Sequence, residues 1–272
     1  MDPTLDDIEF LASSQHRVGV LDALLVTPCD RDDLRTATGA SSATMGRILS
    51  DFENRHWITR EGRTYRVTDL GEFVATRLCE FRDAMGLEGS LREVWPWLPY
   101  ELEDFTVELF DDIVVSRPGP GYPYQPVERI TELVRGAGMM RGFGMVMLKS
   151  SNLEVFFSRS LDDLRSDYVY PPDVFGQIVA WDPEAVRRAI THPNCTVWIH
   201  DDLPLDDRCG ICLFDDHVSI CCYDGETGAL QATVDTGSPE LVEWAESYYE
   251  RLRSEAKPLT EADDGLSVET DL

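Results

Sequence analysis

Residues Gly39 to Gly71 read GASSATMGRILSDFENRHWITREGRTYRVTDLG, and two structural periods meet inside this stretch. Met45, Ile48, Leu49 and Phe52 recur at i, i+3, i+4 and i+7, the spacing that collects apolar side chains on one face of a helix. Ser41 stands where a hydroxyl can cap that helix, while Ser42, Thr44, Arg47, Asp51 and Asn54 fall on its other faces. From Trp57 the period drops to two. Ile58 and Arg60 lead into a turn supplied by Glu61 and Gly62, and Tyr65 and Val67 resume the alternation, which predicts a small hairpin with arginines at its tip.

The same reading extends outward. Val18, Leu21, Leu24 and Leu25 keep helical spacing behind a pair of serines, and Asp30 is placed to cap a short second helix that ends at Gly39. Beyond the hairpin, Asp69 is expected to cap a helix running through Phe73, Val74, Leu78 and Phe81. The predicted order is helix, helix, helix, hairpin, helix.

Charge sets this segment apart. The chain of 272 residues has 51 acids against 24 bases and a formal net charge of −27. Lys149 and Lys257 are its only lysines. An acid-rich, lysine-poor surface keeps a protein hydrated in concentrated salt, so the chain reads as a cytoplasmic protein of a salt-accumulating halophile. Ser13 to Thr68 is nevertheless held at +1, while Asp69 to Leu272 carries −24. Neither an apolar leader at Met1 nor an apolar run of membrane-spanning length is present, and an odd set of seven cysteines does not suggest a secreted disulfide framework.

The element order between Ser13 and Leu78 is that of a winged helix-turn-helix, in which the helix opened by Ser41 enters the DNA major groove. The stretch TMGRILSDFENRHWITREGRTYRVTDLG, above all Arg47-Ile48-Leu49, Trp57-Ile58 and the exit YRVTDLG, resembles archaeal and bacterial winged-helix regulators of the ArsR and MarR type. Short hydroxyls and a helix N-terminus allow close approach to phosphate, and an arginine one turn on can reach a phosphate or a guanine edge. The expected DNA contacts are therefore Ser41, Ser42, Thr44 and Arg47 on the helix, with Arg60 and Arg63 on the wing. In multimolar salt the counterion-release contribution shrinks, so binding must lean on hydrogen bonds and shape, and a local charge of +1 is compatible with that.

The second half alternates strand-like and helix-like segments, which predicts an α/β domain. Helices are expected at 127–135, 183–190 and 239–256, and strands at 139–148, 153–157, 196–200, 210–214, 218–223 and 230–234. Pro96 and Pro99 put the domain junction near Trp97, giving a reader domain over 1–96, an effector-sensing or dimerising domain over 97–258 and an acidic, frayed tail over 259–272. Much of Asp104 to Leu259, most strongly FDDHVSICCYDGETGALQATVDTGSPELVEWAESYYERLRSEAKPL, resembles the effector domain of haloarchaeal regulators related to the methanogenesis regulators. That resemblance implies a phospholipase D-like fold. The phospholipase D motif His-x-Lys-x4-Asp is absent, because none of His16, His56, His192, His200 and His217 is followed two residues later by lysine. A binding role is the economical expectation, with no enzyme activity, no cofactor and no metal.

Two further groups stand out. WIHDDLP places His200 and Asp202 at the end of a strand, where α/β domains often bind ligands, although a solvated acidic run would read the same way. Cys209, Cys212, Cys221 and Cys222 form C-x2-C-x8-C-C. Adjacent residues of a strand face opposite ways, so a four-thiolate tetrahedron is awkward, whereas a hairpin turning at Asp215-Asp216 brings Cys209 near Cys222. Buried thiols are the primary reading, metal or redox chemistry the secondary one. The expected partners are double-stranded DNA, a second copy of the chain and a small-molecule effector, without a membrane. The rivals are a winged-helix interaction scaffold that never touches DNA and a phosphodiesterase-like enzyme.

Overall fold

In the computed structural model the described residues are 3–144, 151–203 and 209–259. The chain divides into two compact units, Met1–Gly86 and Leu87–Leu272. The division falls inside a helix, upstream of the junction that the prolines suggest near Trp97.

In the first unit α1 (Pro3–Ala12) and α2 (Gln15–Val26) precede a short strand β1 (Cys29–Asp30), α3 (Arg31–Thr38), α4 (Ser42–Asn54), the hairpin β2 (Ile58–Glu61) and β3 (Thr64–Val67), and α5 (Asp69–Arg92). The predicted order is observed, with α1 and β1 added. Local chemistry accounts for the boundaries. Ser14 caps α2. Asp30 accepts from the Asp32 and Asp33 amides while Asp33 accepts from the Asp30 amide, a capping box that starts α3. Gly39 ends α3 at φ 70°, a left-handed conformation that glycine adopts without steric cost.

Two details depart from expectation. The hairpin turn is Gly62-Arg63, with Gly62 at φ 64°, so Arg63 sits in the turn itself. Thr68 rather than Asp69 caps α5: its hydroxyl accepts from the Gly71 amide and donates to the carbonyls of His56 and Trp57. A hydroxyl one residue earlier reaches both the new helix and the start of the hairpin. β1 joins β3 antiparallel, giving the sheet order β1-β3-β2. Leu21, Leu24, Leu34, Met45, Ile48, Leu49, Phe52, Trp57 and Ile58 form the core, so the apolar face read from the sequence of α4 is the face that is buried.

The second unit is a mixed α/β structure. Its further elements are β4 (Val114–Ser116), α6 (Gln125–Gly136), β5 (Met139–Phe143), α7 (Ser151–Ser160), β6 (Arg165–Tyr170), α8 (Pro172–Trp181), α9 (Pro183–Ile190), β7 (Cys195–Ile199), β8 (Cys209–Phe214), β9 (His217–Tyr223), β10 (Leu230–Thr236), α10 (Pro239–Glu255) and β11 (Lys257–Pro258). One eight-stranded sheet runs in the order β11-β7-β6-β5-β8-β9-β10-β4. β5, β6 and β7 are parallel, and the meander β8-β9-β10 is antiparallel. Alternation along each strand sends one set of side chains to each face. Phe143, Val169, Ile211, Leu213, Val218 and Ile220 cluster with Trp244, Tyr248 and Tyr249 of α10. Met140, Tyr168, Cys212, Phe214, Cys221 and Tyr223 cluster with Ile130 and Val134 of α6.

The expected strand at 153–157 is helical and belongs to α7, whose Phe157 packs with Val174, Ile178 and Val186 of α8 and α9. A five-residue apolar run does not distinguish strand from helix by period, and here packing decides. β6 and α8 were not anticipated. Residues 145–148 of the expected strand 139–148, and the acidic tail from 260 onward, lie outside the described residues. Among the described residues no helix is long and apolar enough to cross a membrane.

Candidate nucleic-acid interface

The tight turn at Gly39 delivers Ser41 to the start of α4, where its hydroxyl accepts from the Thr44 amide at 3.1 Å and meets the Thr44 hydroxyl at 2.9 Å. Both hydroxyls thus organise the first turn of the helix. Ser42 is exposed, and its carbonyl and hydroxyl accept from Arg31 at 2.6 and 3.2 Å. Arg47 is exposed one turn further along. All four helix residues singled out from sequence therefore gather on the leading turns of α4.

Arg31 was missed by sequence reasoning. Its guanidinium lies so close over α4 that a Cβ at Gly46 would come within 2.9 Å of Nη2. Its place at the start of α3 is legible in the sequence, but that the α3–α4 turn lays it against α4 is not. A cation at the positive end of a helix dipole is electrostatically unfavourable unless an anion is shared. The arrangement leaves a cationic corner at the first turn of α4, made by Arg31 and the helix N-terminus, while Arg47 is exposed further along the same helix.

The wing arginines are placed less simply. Arg60 folds back, its Nε donating to the Gly62 carbonyl at 2.9 Å and its guanidinium lying 5.5 Å from the Tyr65 ring centre. Arg63 lies near Asp30, whose carboxyl is held below its ordinary pKa first by the hydrogen bond from the Asp33 amide and further by the field of Arg63. Arg66 pairs with Glu61 at 3.2 Å. Arg55 pairs with Asp7 at 3.3 Å and stacks on Phe10, which fastens α1 to the base of the hairpin. The hairpin thus presents three arginines, Arg60, Arg63 and Arg66, all facing partners within the chain.

In the second unit His200 and Asp202 meet at the end of β7, where the Asp202 amide donates to His200 Nδ1 at 3.2 Å. Nε2 of the same ring faces Glu255 of α10 at 3.6 Å. The two residues close a local turn. A different cluster went unseen in the sequence: Asp235 of β10, fully buried, accepts from Arg129 Nε and Nη2 at 3.0 and 2.5 Å and pairs with His217 Nε2 at 2.8 Å. Its members lie more than a hundred residues apart at the extremes, so no spacing rule could join them. The strand register places Cys209 opposite Cys222, as the hairpin reading expects, and Cys212 with Cys221 on the other face.

Comparison with known proteins follows this division. Residues 5–89 match the model of the HVO_A0261 N-terminal domain, and residues 123–255 match that of the middle domain of the methanogenesis regulatory protein FilR1. The curated protein of that name from Methanothrix harundinacea (strain 6Ac) is 22% identical over 180 residues, which span 63% of this chain and 40% of that protein. Among solved structures, TrmBL2, described as an archaeal chromatin protein with a novel mode of DNA binding, superposes with a TM-score of 0.43 at 10% identity, over 93% of this chain and 98% of its own. The phospholipase D family member Nuc from Salmonella typhimurium superposes with a TM-score of 0.42 at 10% identity, over 54% and 97%. The two domain matches, in tandem, set the chain beside regulators of archaeal type.

Proposed function

We propose that the chain is a DNA-binding transcriptional regulator whose first unit is a winged helix-turn-helix reader and whose second unit, phospholipase D-like but without catalysis, senses an effector. The observation that carries this reading is the cationic corner on α4. Arg31 lies beside the first turn of α4, so a DNA phosphate arriving there meets Arg31 and the helix amides, with Arg47 exposed further along the helix. Ser42 and Thr44 then lie at the groove, and Arg60 and Arg63 swing from their intramolecular partners to the backbone beside it. In the second unit the turn of His200 and Asp202 at the end of β7 is the polar corner assigned to the effector.

Gel shifts in molar KCl on a fragment carrying the protein's own promoter test the reader. Arg31→Ala and Arg47→Ala are each expected to weaken binding by roughly tenfold or more, the loss of one charge-assisted contact. Unchanged binding in both would remove α4 from the DNA face. Absence of binding to any genomic fragment would favour an interaction scaffold.

The reader is further proposed to work as a homodimer, since two half-sites one helical turn apart require two recognition helices. Two helices, α5 and α10, carry apolar side chains at helical spacing that could serve for pairing. The stripe of α10 is consumed by its own core, because Trp244, Tyr248, Tyr249 and Leu252 are buried. That of α5 is open: Leu70, Phe73, Phe81 and Met85 are 51%, 62%, 60% and 47% exposed, at near-helical spacing. Phe73→Asp with Phe81→Asp is expected to convert a dimer to a monomer in sedimentation equilibrium. A dimer that survives both substitutions would move the interface elsewhere.

A further inference from the structure

The four cysteines of the β8–β9 hairpin are two pairs with different surroundings. Cys209 and Cys222 are directly opposed and buried in the apolar packing against α10, and burial pushes the Cys222 thiol far above its ordinary pKa. Cys212 and Cys221 lie diagonally across the strands on the α6 face, since Cys212 is opposite Ser219 and Cys221 opposite Gly210. The Tyr168 hydroxyl lies 3.5 Å from Cys212 Sγ, and Tyr223 is buried on the same face. All four side chains are buried.

The surrounding backbone is cut away to admit this arrangement. A Cβ at Gly144 would come within 2.8 Å of the Tyr168 hydroxyl, and one at Gly142 within 3.1 Å of the same ring and 2.3 Å of the Ile211 carbonyl. Larger residues at these positions would push Tyr168 away from the thiols.

We propose that Cys212 and Cys221 form a two-coordinate site for a soft monovalent cation, Cu(I), held between the two sulfurs with the Tyr168 and Tyr223 hydroxyls donating to them. Among the described residues no group of three or more histidine, cysteine or acidic side chains is placed to hold a metal, which disfavours zinc with its four ligands. Two thiolates suit an ion that accepts linear coordination by soft ligands. A diagonal pair also fits a bridged ion better than a disulfide, which needs Cα atoms closer than about 7 Å, whereas diagonal neighbours stand roughly 7–8 Å apart. On binding, each thiol releases its proton to solvent water, two S–Cu bonds form, and no electron is transferred. The site carries a net single negative charge, which the two phenol donors offset.

The test uses the full chain, reduced and anaerobic, titrated with Cu(I) in molar potassium glutamate, because chloride competes for the ion. One Cu(I) per chain is expected to survive gel filtration, to be lost in Cys212→Ser and in Cys221→Ser, and to be retained in Cys209→Ser. Tyr168→Phe is expected to weaken binding by about tenfold, as loss of a partner to a ligand does. Copper-edge X-ray absorption on the unsubstituted protein is expected to show two sulfur neighbours and decides the matter even where a variant misfolds. Failure to retain copper, retention in Cys212→Ser, or a shell of three or more ligands would overturn the proposal. None of these outcomes depends on DNA binding.

Discussion

Gly71→Ala is expected to lower the unfolding midpoint of the first unit by on the order of 15 °C, corresponding to about 3 kcal/mol in a domain of this size. A Cβ at position 71 would lie 1.9 Å from the Trp57 carbonyl oxygen, 2.7 Å from its carbon and 2.9 Å from its Cα. All three are backbone atoms, so no side-chain rotation relieves the overlap. The same carbonyl accepts from the Thr68 amide at 2.9 Å and from the Thr68 hydroxyl at 3.1 Å, and the shift that makes room for a methyl group breaks the cap of α5 as well. Gly86→Ala, in the same helix, meets nothing within 4 Å and is expected to be neutral or to stabilise by up to about 1 kcal/mol. Thermal unfolding of the two variants, followed by circular dichroism, checks the contrast. Equal midpoints would show that α5 is not seated on Trp57 as described.

Asp235→Ala is expected to cost the second unit about 3–5 kcal/mol, the usual consequence of removing one partner from a buried ion pair. Asp235 is fully buried, and the two hydrogen bonds from Arg129 together with the contact to His217 satisfy its carboxylate. Without it, Arg129 and His217, which are 28% and 27% exposed, lose the buried carboxylate they share. The double variant Asp235→Leu with Arg129→Met is expected to recover part of the loss, because it removes the arginine charge together with the carboxylate. Urea unfolding at fixed salt provides the measurement. A loss below about 1 kcal/mol for the single variant would mean that water already reaches the cluster.

Legibility from sequence differed between the two units for identifiable reasons. In the first, most contacts are between elements adjacent in the chain, so period and capping residues predict them. Ser41, Ser42, Thr44 and Arg47 fall on one helix, and a helix fixes their common placement. Arg31 lies outside that helix, and only the fold of the α3–α4 turn reveals that it reaches Ser42. The second unit is a sheet whose neighbours in space are distant in sequence. β8 pairs with β5 on one side and β9 on the other, and Tyr168 reaches Cys212 across strands that no motif links.

The sequence alone determined the helical face of α4, the hairpin and its arginines, the glycine stop at Gly39, the contrast between a near-neutral segment and an acidic remainder, and the Cys209–Cys222 register, since each depends on residues within one or two turns or one hairpin of each other. Tertiary structure decided the rest. It made a helix of 153–157, seated α5 on the Trp57 carbonyl through Gly71, used up the α10 stripe as core while leaving that of α5 open, buried Asp235 with Arg129 and His217, and set two phenols against one pair of thiols. These outcomes depend on which surfaces are buried against which, and burial is a property of the assembled chain that local spacing does not encode.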